Sequence, residues 1–160
     1  VCRLKTIQLF SVLVLLSWNL STPAAAQSRA EKGKKAPVSA SVPVALQHRI
    51  VFQLVTNDTL AQKALLRQLG NILATDPSAK LEVVCHGPGV DLLVASKSRL
   101  GGKIDAFKNR GVAFHACEFT LREKKIAASE LFPGTTTVPA GILALSERQM
   151  HGWTYIKAGF

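Results

Sequence analysis

Hydrophobic positions in the last two-thirds of the chain form short apolar runs that alternate with segments of helical spacing. Residues 49–56 (RIVFQLVT) are a nearly unbroken apolar run, which is typical of a parallel strand buried on both faces. The same reasoning predicts strands at residues 81–86, 112–116 and 153–158, and helices at 60–74, 90–98, 103–110 and 140–151. Another helix is expected to start at Thr120, which opens a Thr-x-x-Glu capping box, and residues 133–137 are predicted to form a loop. Strands separated by helices predict an α/β sandwich with a mainly parallel sheet.

The first 26 residues follow a different pattern. Arg3 and Lys5 precede an apolar stretch that is densest over residues 9–18, and a segment of small residues ends at Ala26. These are the three parts of a secretory signal peptide, and cleavage is expected after Ala26. The alternatives are an uncleaved membrane anchor and a core helix. A membrane-spanning helix needs about 20 apolar residues, however, and this stretch reaches only about half of that length. Residues 27–47 have no apolar periodicity and predict a flexible basic linker.

The formal net charge of +10 is spread over the signal peptide, the linker and the domain. Removal of residues 1–26 takes away two positive charges, and the linker holds four basic residues and one acidic residue. The domain, residues 48–160, therefore carries about +5, and its basic residues are scattered. A nucleic-acid interface needs basic residues clustered on one folded face. We therefore predict no nucleic-acid partner. The signal peptide, in turn, predicts a periplasmic protein that is not integral to the membrane after cleavage.

Reactive and polar side chains follow three of the predicted strands. In strand order they are Asn57-Asp58, Cys85-His86 and His115-Ala116-Cys117-Glu118. The carboxyl ends of parallel strands lie at one edge of the sheet, where ligands and catalytic groups gather. The sequence therefore predicts that two cysteines, two histidines and two carboxylates converge there.

Cys117 is the strongest candidate for chemistry. It ends a strand and precedes a basic helical segment with Arg122, and both a helix start and nearby cations lower the pKa of a thiol. The alternative, a small buried apolar residue, is the usual state of a free cysteine. Cys85 lies within an apolar run and is assigned to the core. No Cys-x-x-Cys or His-x-x-x-His spacing is present, so we predict no metal and no cofactor.

Three segments, HGPGVDLL, GVAFHACEFTLR and VPAGILALSERQMHGWTYIKAG, resemble the DsrE/DsrF-like family, whose fold is also called YchN-like. The resemblance covers residues 48–159, and Cys117 matches the cysteine of the family's most specific block, Gly-Val-x-Phe-x-x-Cys. It implies a three-layer α/β/α domain with a five-stranded parallel sheet, assembled as a homo-trimer or homo-hexamer. Family members with an assigned role accept sulfane sulfur on a cysteine as a persulfide and pass it to a partner thiol.

The resemblance implies a sulfurtransferase-like carrier with Cys117 as the sulfur-bearing residue and a sulfur donor or acceptor protein as partner. Arg122 and His115 are expected to support it electrostatically or by handling protons. His86, Asp58 and Cys85 are expected to line the same pocket, with a helix cap as the alternative role of Asp58 and a core position as that of Cys85. One alternative is a non-catalytic oligomeric binding module. Another is a thiol redox protein with a Cys85–Cys117 disulfide, because the family's strand order places the second and third strands side by side.

Overall fold

A computed structural model describes residues 47–159. The predicted signal peptide, residues 1–26, and all but the last residue of the predicted linker lie outside the described residues. The strands are β1 (Arg49–Leu54), β2 (Lys80–Cys85), β3 (Ala113–Cys117), β4 (Thr136–Val138) and β5 (Thr154–Ala158). The α-helices are α1 (Thr59–Thr75), α2 (Gly101–Lys108), α3 (Glu118–Glu123) and α4 (Gly141–Met150), and two 3₁₀ helices span Gly87–Leu92 and Ala128–Glu130.

The five strands form one parallel sheet in the order β4-β3-β2-β1-β5. This confirms the predicted α/β class and the five-stranded parallel sheet. Strands β2 and β3 are neighbours, with Cys85 opposite Ala116 in the register. No helix within residues 47–159 combines the length and the apolarity needed to cross a bilayer.

Alternation of side chains divides the sheet into two faces. One face packs against α1 and α2 and forms the main core, with Phe52, Leu54, Leu65, Leu69, Val83, Ile104 and Phe114 among its members. The other face packs against α4, where Val51, Val84 and Leu145 form a smaller cluster. We call these the α1 face and the α4 face. Helices on both faces of the sheet give the three layers that the resemblance implies.

The helix predicted at residues 90–98 is wrong. A 3₁₀ helix occupies Gly87–Leu92 instead, and Val94 then forms an isolated bridge with Leu131. The consecutive residues Leu92, Leu93 and Val94 are all fully buried, a pattern that one face of an α-helix does not allow. The start of this segment is also held close to β1, since a Cβ on Gly89 would lie 2.1 Å from the carbonyl oxygen of Leu54.

The capping box predicted at Thr120 is also wrong. Helix α3 begins at Glu118 with Cys117 as its N-cap residue, so Thr120 lies inside the helix and is buried. Its hydroxyl accepts a hydrogen bond from the backbone N–H of Gly87 at 3.0 Å. Thr120 thus ties α3 to the end of β2, and the helix start sits on the end of β3.

The loop predicted at residues 133–137 contains part of a missed strand. Thr136–Val138 is β4, the edge strand that pairs with β3. It is only three residues long and has no buried residue, so it lacks the apolar run by which the other strands were recognised.

Candidate functional site

Cys117 lies at the junction of β3, α3 and α4. It follows Ala116, which faces the α1 core, so its own side chain points to the α4 face. The backbone N–H of Gly141, the first residue of α4, donates a hydrogen bond to the Cys117 sulfur at 3.3 Å. The residue is only 5% exposed. The sulfur therefore sits beneath the surface, with the amino end of α4 directed at it.

Burial and hydrogen bonding act in opposite directions on the Cys117 thiol. Desolvation raises its pKa, but hydrogen bonds from Thr120 and from the backbone of Gly141 and Phe119 favour the thiolate, and the net pKa is lowered. The sequence predicted a lowered pKa from a helix start and from nearby cations. The direction and the helix-start cause agree with the structure, whereas no cation is among the groups that lower this pKa.

Gly141 brings His86 and Cys117 to one place. A Cβ at position 141 would lie 3.2 Å from the Cβ of His86 and 3.3 Å from the Cβ of Cys117. Any larger residue would push one of them away, which makes glycine the residue that allows α4 to start here. His86 thus joins Cys117 as predicted.

His86 is held by two residues that the sequence analysis did not single out. The Nε2 atoms of Gln53 and His86 are 2.7 Å apart, and the hydroxyl of Tyr155 donates to Oε1 of Gln53. Because this bond fixes the Gln53 amide as a donor toward His86, the imidazole accepts at Nε2 and carries its proton on Nδ1. Desolvation lowers the pKa of His86, which also favours this neutral form. Gln53 is the one polar residue between Arg49 and Thr56, the two ends of the first apolar run, and that exception was the available signal.

His115 lies on the same face of β3 as Cys117, two residues earlier, but it belongs to another group. Its Nδ1 is 2.7 Å from the hydroxyl of Thr136, and its Nε2 is 3.3 Å from Oε2 of Glu82. The same Glu82 oxygen accepts a hydrogen bond from Nε of Arg148 at 2.6 Å. Burial raises the pKa of Glu82, but its contacts with His115 and Arg148 outweigh burial and lower it. This cluster fastens α4 to β2 and β3.

Cys85 lies on the α1 face and does not join Cys117. It is fully buried in the main core, and burial alone raises the pKa of its thiol. Both cysteines are free. Because Cys85 pairs with Ala116, its side chain points away from the face that carries Cys117. The Cys85–Cys117 disulfide, and with it the redox alternative, does not fit this structure. Neither does the expectation that Cys85 lines the pocket, whereas its alternative assignment to the core does fit.

Two further predicted site residues have other roles. Oδ1 of Asp58 accepts the N–H of Leu60 at 2.8 Å and caps α1, which packs on the opposite face of the sheet from Cys117. Arg122 is exposed, and its Nη1 lies 3.8 Å from Oε2 of Glu118. Its guanidinium group stacks over the ring of Phe119, with 4.5 Å between the guanidinium carbon and the ring centroid. Asp58 therefore does not line a pocket with His86, and Arg122 points to surface partners on its own helix.

Exposed apolar side chains flank the buried sulfur. Phe119 lies two residues after Cys117, and Ile142 and Leu143 directly follow Gly141. Each of these three side chains is more than half exposed. No motif predicted this apolar rim, because its residues come from two helices that are separate in the chain.

Solved structures similar to this chain include three from microbial genomes. MTH1491 from Methanobacterium thermoautotrophicum, a protein of unknown function, shares 31% identity at a TM-score of 0.67, with 69% of this chain and 99% of that chain covered. BT1422 from Bacteroides thetaiotaomicron, also of unknown function, shares 17% identity at a TM-score of 0.58, over 68% of this chain and 93% of that one. The ychN protein of E. coli shares 9% identity at a TM-score of 0.59, over 70% and 99% of the two chains. No protein-family model and no curated protein matches the chain.

Proposed function

Because this chain belongs to the DsrE/DsrF-like family with the YchN-like fold, we propose that it carries sulfane sulfur on Cys117. The observation that supports this proposal most strongly is the environment of the Cys117 sulfur. Hydrogen bonds from the backbone and from Thr120 lower its pKa although the residue is buried. A structural cysteine in an apolar core would have a raised pKa, as Cys85 does.

The transfer is an exchange at a sulfur atom and needs no external oxidant. The thiolate of Cys117 attacks the outer sulfur of a donor persulfide, a new S–S bond forms at Cys117, and the donor leaves as a thiolate. An acceptor thiolate then attacks the outer sulfur on Cys117, forms its own persulfide and releases the Cys117 thiolate. Each step makes one S–S bond and breaks another, so electrons balance.

The neighbours of Cys117 divide this work differently from the sequence prediction. We assign the support of the charged sulfur to the N–H of Gly141 and to the donors of α3, because these reach the sulfur directly. His86 forms the wall beside Gly141 in its neutral form, with a proton on Nδ1. His115 serves to hold α4 in place through Glu82.

The apolar rim of Phe119, Ile142 and Leu143 supports a partner surface beside the sulfur. A donor or acceptor protein that delivers a persulfide must cover this surface, and an exposed apolar patch favours such an association. We extend the proposal to a homo-oligomer and to a periplasmic location. The first is supported by the family resemblance and the second by the signal-peptide pattern of residues 1–26.

One observation favours a second function, the non-catalytic oligomeric binding module. Cys117 is 5% exposed, and a thiol that never becomes accessible cannot exchange sulfur. In that case the same donors would serve only to seal the junction of β3, α3 and α4.

Mass spectrometry of the intact protein decides between the two. The purified protein is incubated with a low-molecular-weight persulfide, and we expect an added sulfur atom that maps to Cys117 and is lost with reductant. Cys117→Ala should abolish loading, and the matched variant Cys85→Ala should load like the wild type. Absence of loading on the folded wild type, or equal loading of Cys117→Ala, would overturn the carrier function and favour the binding module.

A further inference from the structure

A polar cavity of about 520 Å³ opens beside the first 3₁₀ helix. It lies between the amino end of α1, the 3₁₀ helix Gly87–Leu92 and residues 97–100. Neither Cys117 nor His86 lines it. Whatever this cavity binds is therefore separate from the sulfur chemistry proposed above.

The decisive residue of the cavity is Gln62. It lies in the second turn of α1 and is only 6% exposed, yet its side-chain amide has no hydrogen-bond partner among residues 47–159. Its neighbours on the helix, Ala61, Leu65 and Leu66, are core residues. Within the described residues the fully enclosed side-chain polar atoms without a partner are His115 Nε2 and Thr135 Oγ1, so the Gln62 amide is open to the cavity that it lines. It is therefore a largely buried donor with its hydrogen-bonding capacity free for a ligand in the cavity.

The charges around the cavity indicate the kind of partner. Lys63, Lys97 and Arg99 line it against a single carboxylate, Asp91. Asp91 is already engaged, since Lys97 approaches it at 3.1 Å and Lys124 at 3.5 Å. Lys63 and Arg99 have no ion-pair partner within the described part of the chain. The surplus charge at the cavity is therefore positive.

The orientation of α1 adds to this charge. The helix is 17 residues long, its amino end points at the cavity, and its first turn contains no acidic residue. Asp58 caps the N–H of Leu60, so one donor of the first turn is already occupied and its carboxylate offsets part of the positive charge of this helix end. The field of the remaining donors favours a negative ligand.

We propose that this cavity binds a tetrahedral oxyanion group, with the Gln62 amide as a buried donor and Lys63 and Arg99 as the opposing charges. Phosphate and sulfate have this chemistry, either as free ions or as esters of a small organic molecule. The cavity has the volume of sites that hold small organic ligands, so both sources are compatible with its size.

Calorimetric titration at constant ionic strength tests the proposal. The purified protein is titrated with inorganic phosphate, inorganic sulfate and glycerol phosphate, with chloride as the exchanged ion. We expect saturable binding to one site by at least one of the three oxyanions. Binding by the ester alone would assign the site to an esterified ligand, and binding by a free ion of similar affinity would assign it to the oxyanion itself.

Three variants locate the site. Gln62→Leu and Arg99→Gln should each weaken binding by about tenfold, since each removes a hydrogen bond to a charged ligand. Arg67→Gln, which removes an exposed arginine from the same helix, should bind like the wild type. Gln62→Leu should remain folded in chloride, because leucine is close to glutamine in volume and the position is largely buried. If that variant fails to fold, Arg99→Gln alone decides.

Two results would overturn the site: no saturable binding by the wild type, or an equal loss of affinity in Arg67→Gln, which would indicate only a general attraction to positive charge. Persulfide loading at Cys117 should be the same in Gln62→Leu and wild type. A failure of sulfur loading would therefore leave the oxyanion site intact, and the reverse also holds.

Discussion

Cys85 and Cys117 end neighbouring strands of one sheet, and their thiols behave in opposite ways. Burial raises the pKa of Cys85, which faces the main core on the α1 face. The pKa of Cys117 is lowered, although its residue is nearly as buried. The difference lies in what surrounds each sulfur. Cys85 is enclosed by apolar side chains, whereas Cys117 meets the N–H of Gly141 and the first turn of α3.

This contrast shows that depth alone does not set the reactivity of a cysteine. A thiolate needs donors, and at the end of a strand the backbone of a following helix can supply them. Two strand ends can carry the same residue type one register position apart and still have different chemistry. The face to which each side chain points decides which helix it meets.

Alkylation should separate the two cysteines by the largest factor. In the folded protein, iodoacetamide should modify Cys117 about a thousandfold faster than Cys85, or more, because Cys85 becomes accessible only when the core opens. Peptide mass mapping over time measures both rates in one sample. In denaturant the two cysteines should react at similar rates. Equal slow modification of both in the folded protein would remove the contrast and support the binding module.

Two glycine substitutions at helix starts should change stability in opposite directions. Gly141→Ala forces a Cβ against His86 and Cys117 at 3.2 and 3.3 Å, and we expect a loss of about 1–3 kcal/mol of unfolding free energy. Slower alkylation of Cys117 should accompany the loss, since the N–H of residue 141 moves from the sulfur. Gly102→Ala in α2 meets nothing within 4 Å and should gain up to about 1 kcal/mol. Chemical denaturation measures both, and equal effects would contradict the close approach of α4.

Removal of the Glu82 charge should loosen α4 from the α4 face. Glu82→Gln weakens the contacts to Arg148 and His115, and we expect a loss of about 1–2 kcal/mol at neutral pH. Because the pKa of Glu82 is lowered in the fold, its contribution is present above the unfolded value of about 4.3 and disappears as the pH falls through the folded pKa. The variant should therefore approach the wild type in acid. Glu147→Gln, an exposed position on the same helix, is the control and should change stability little.

The positions of most strands and helices along the chain followed from local patterns. Apolar runs placed four of the five strands, and β4 was missed because three residues without a buried member give no such run. The residues from Thr120 to Glu123 match the capping-box motif, but helix α3 begins two residues earlier, at Glu118, directly after Cys117 ends β3. Local signatures fail where a tertiary contact, here that of Thr120 with Gly87, uses the same side chain.

Only the part of the candidate site that lies at the carboxyl ends of the strands was predictable from the sequence. The sequence placed His86 and Cys117 at one edge correctly, because parallel strands bring their carboxyl ends together. It did not find the side-chain pairs that hold His86 and His115. Gln53 and Tyr155 are 102 positions apart, and Glu82 and Arg148 are 66 apart. Such pairs depend on the register of β5 and on the angle of α4, which no local pattern encodes. Asp58 was expected both as a helix cap and as a pocket residue, because the two roles use the same residue type at a strand end, and only the cap is observed.

The smallest expected effect is a pair of opposite pH dependences of stability. The lowered pKa of Cys117 means that its thiolate stabilises the fold above the unfolded value of about 8.5 and that this contribution is lost as the pH falls through the folded pKa. The raised pKa of Cys85 means the reverse: its contribution is complete below about 8.5 and declines as the pH rises. The stability difference between wild type and Cys117→Ser should therefore grow from pH 6 to pH 9. Its growth is limited to the free energy that the titration of one thiol can contribute. The difference between wild type and Cys85→Ala should stay constant to about pH 8.5 and shrink above it. Denaturant midpoints across this range measure both curves, and two curves of the same sign would show that the donors around Cys117 do not favour its thiolate.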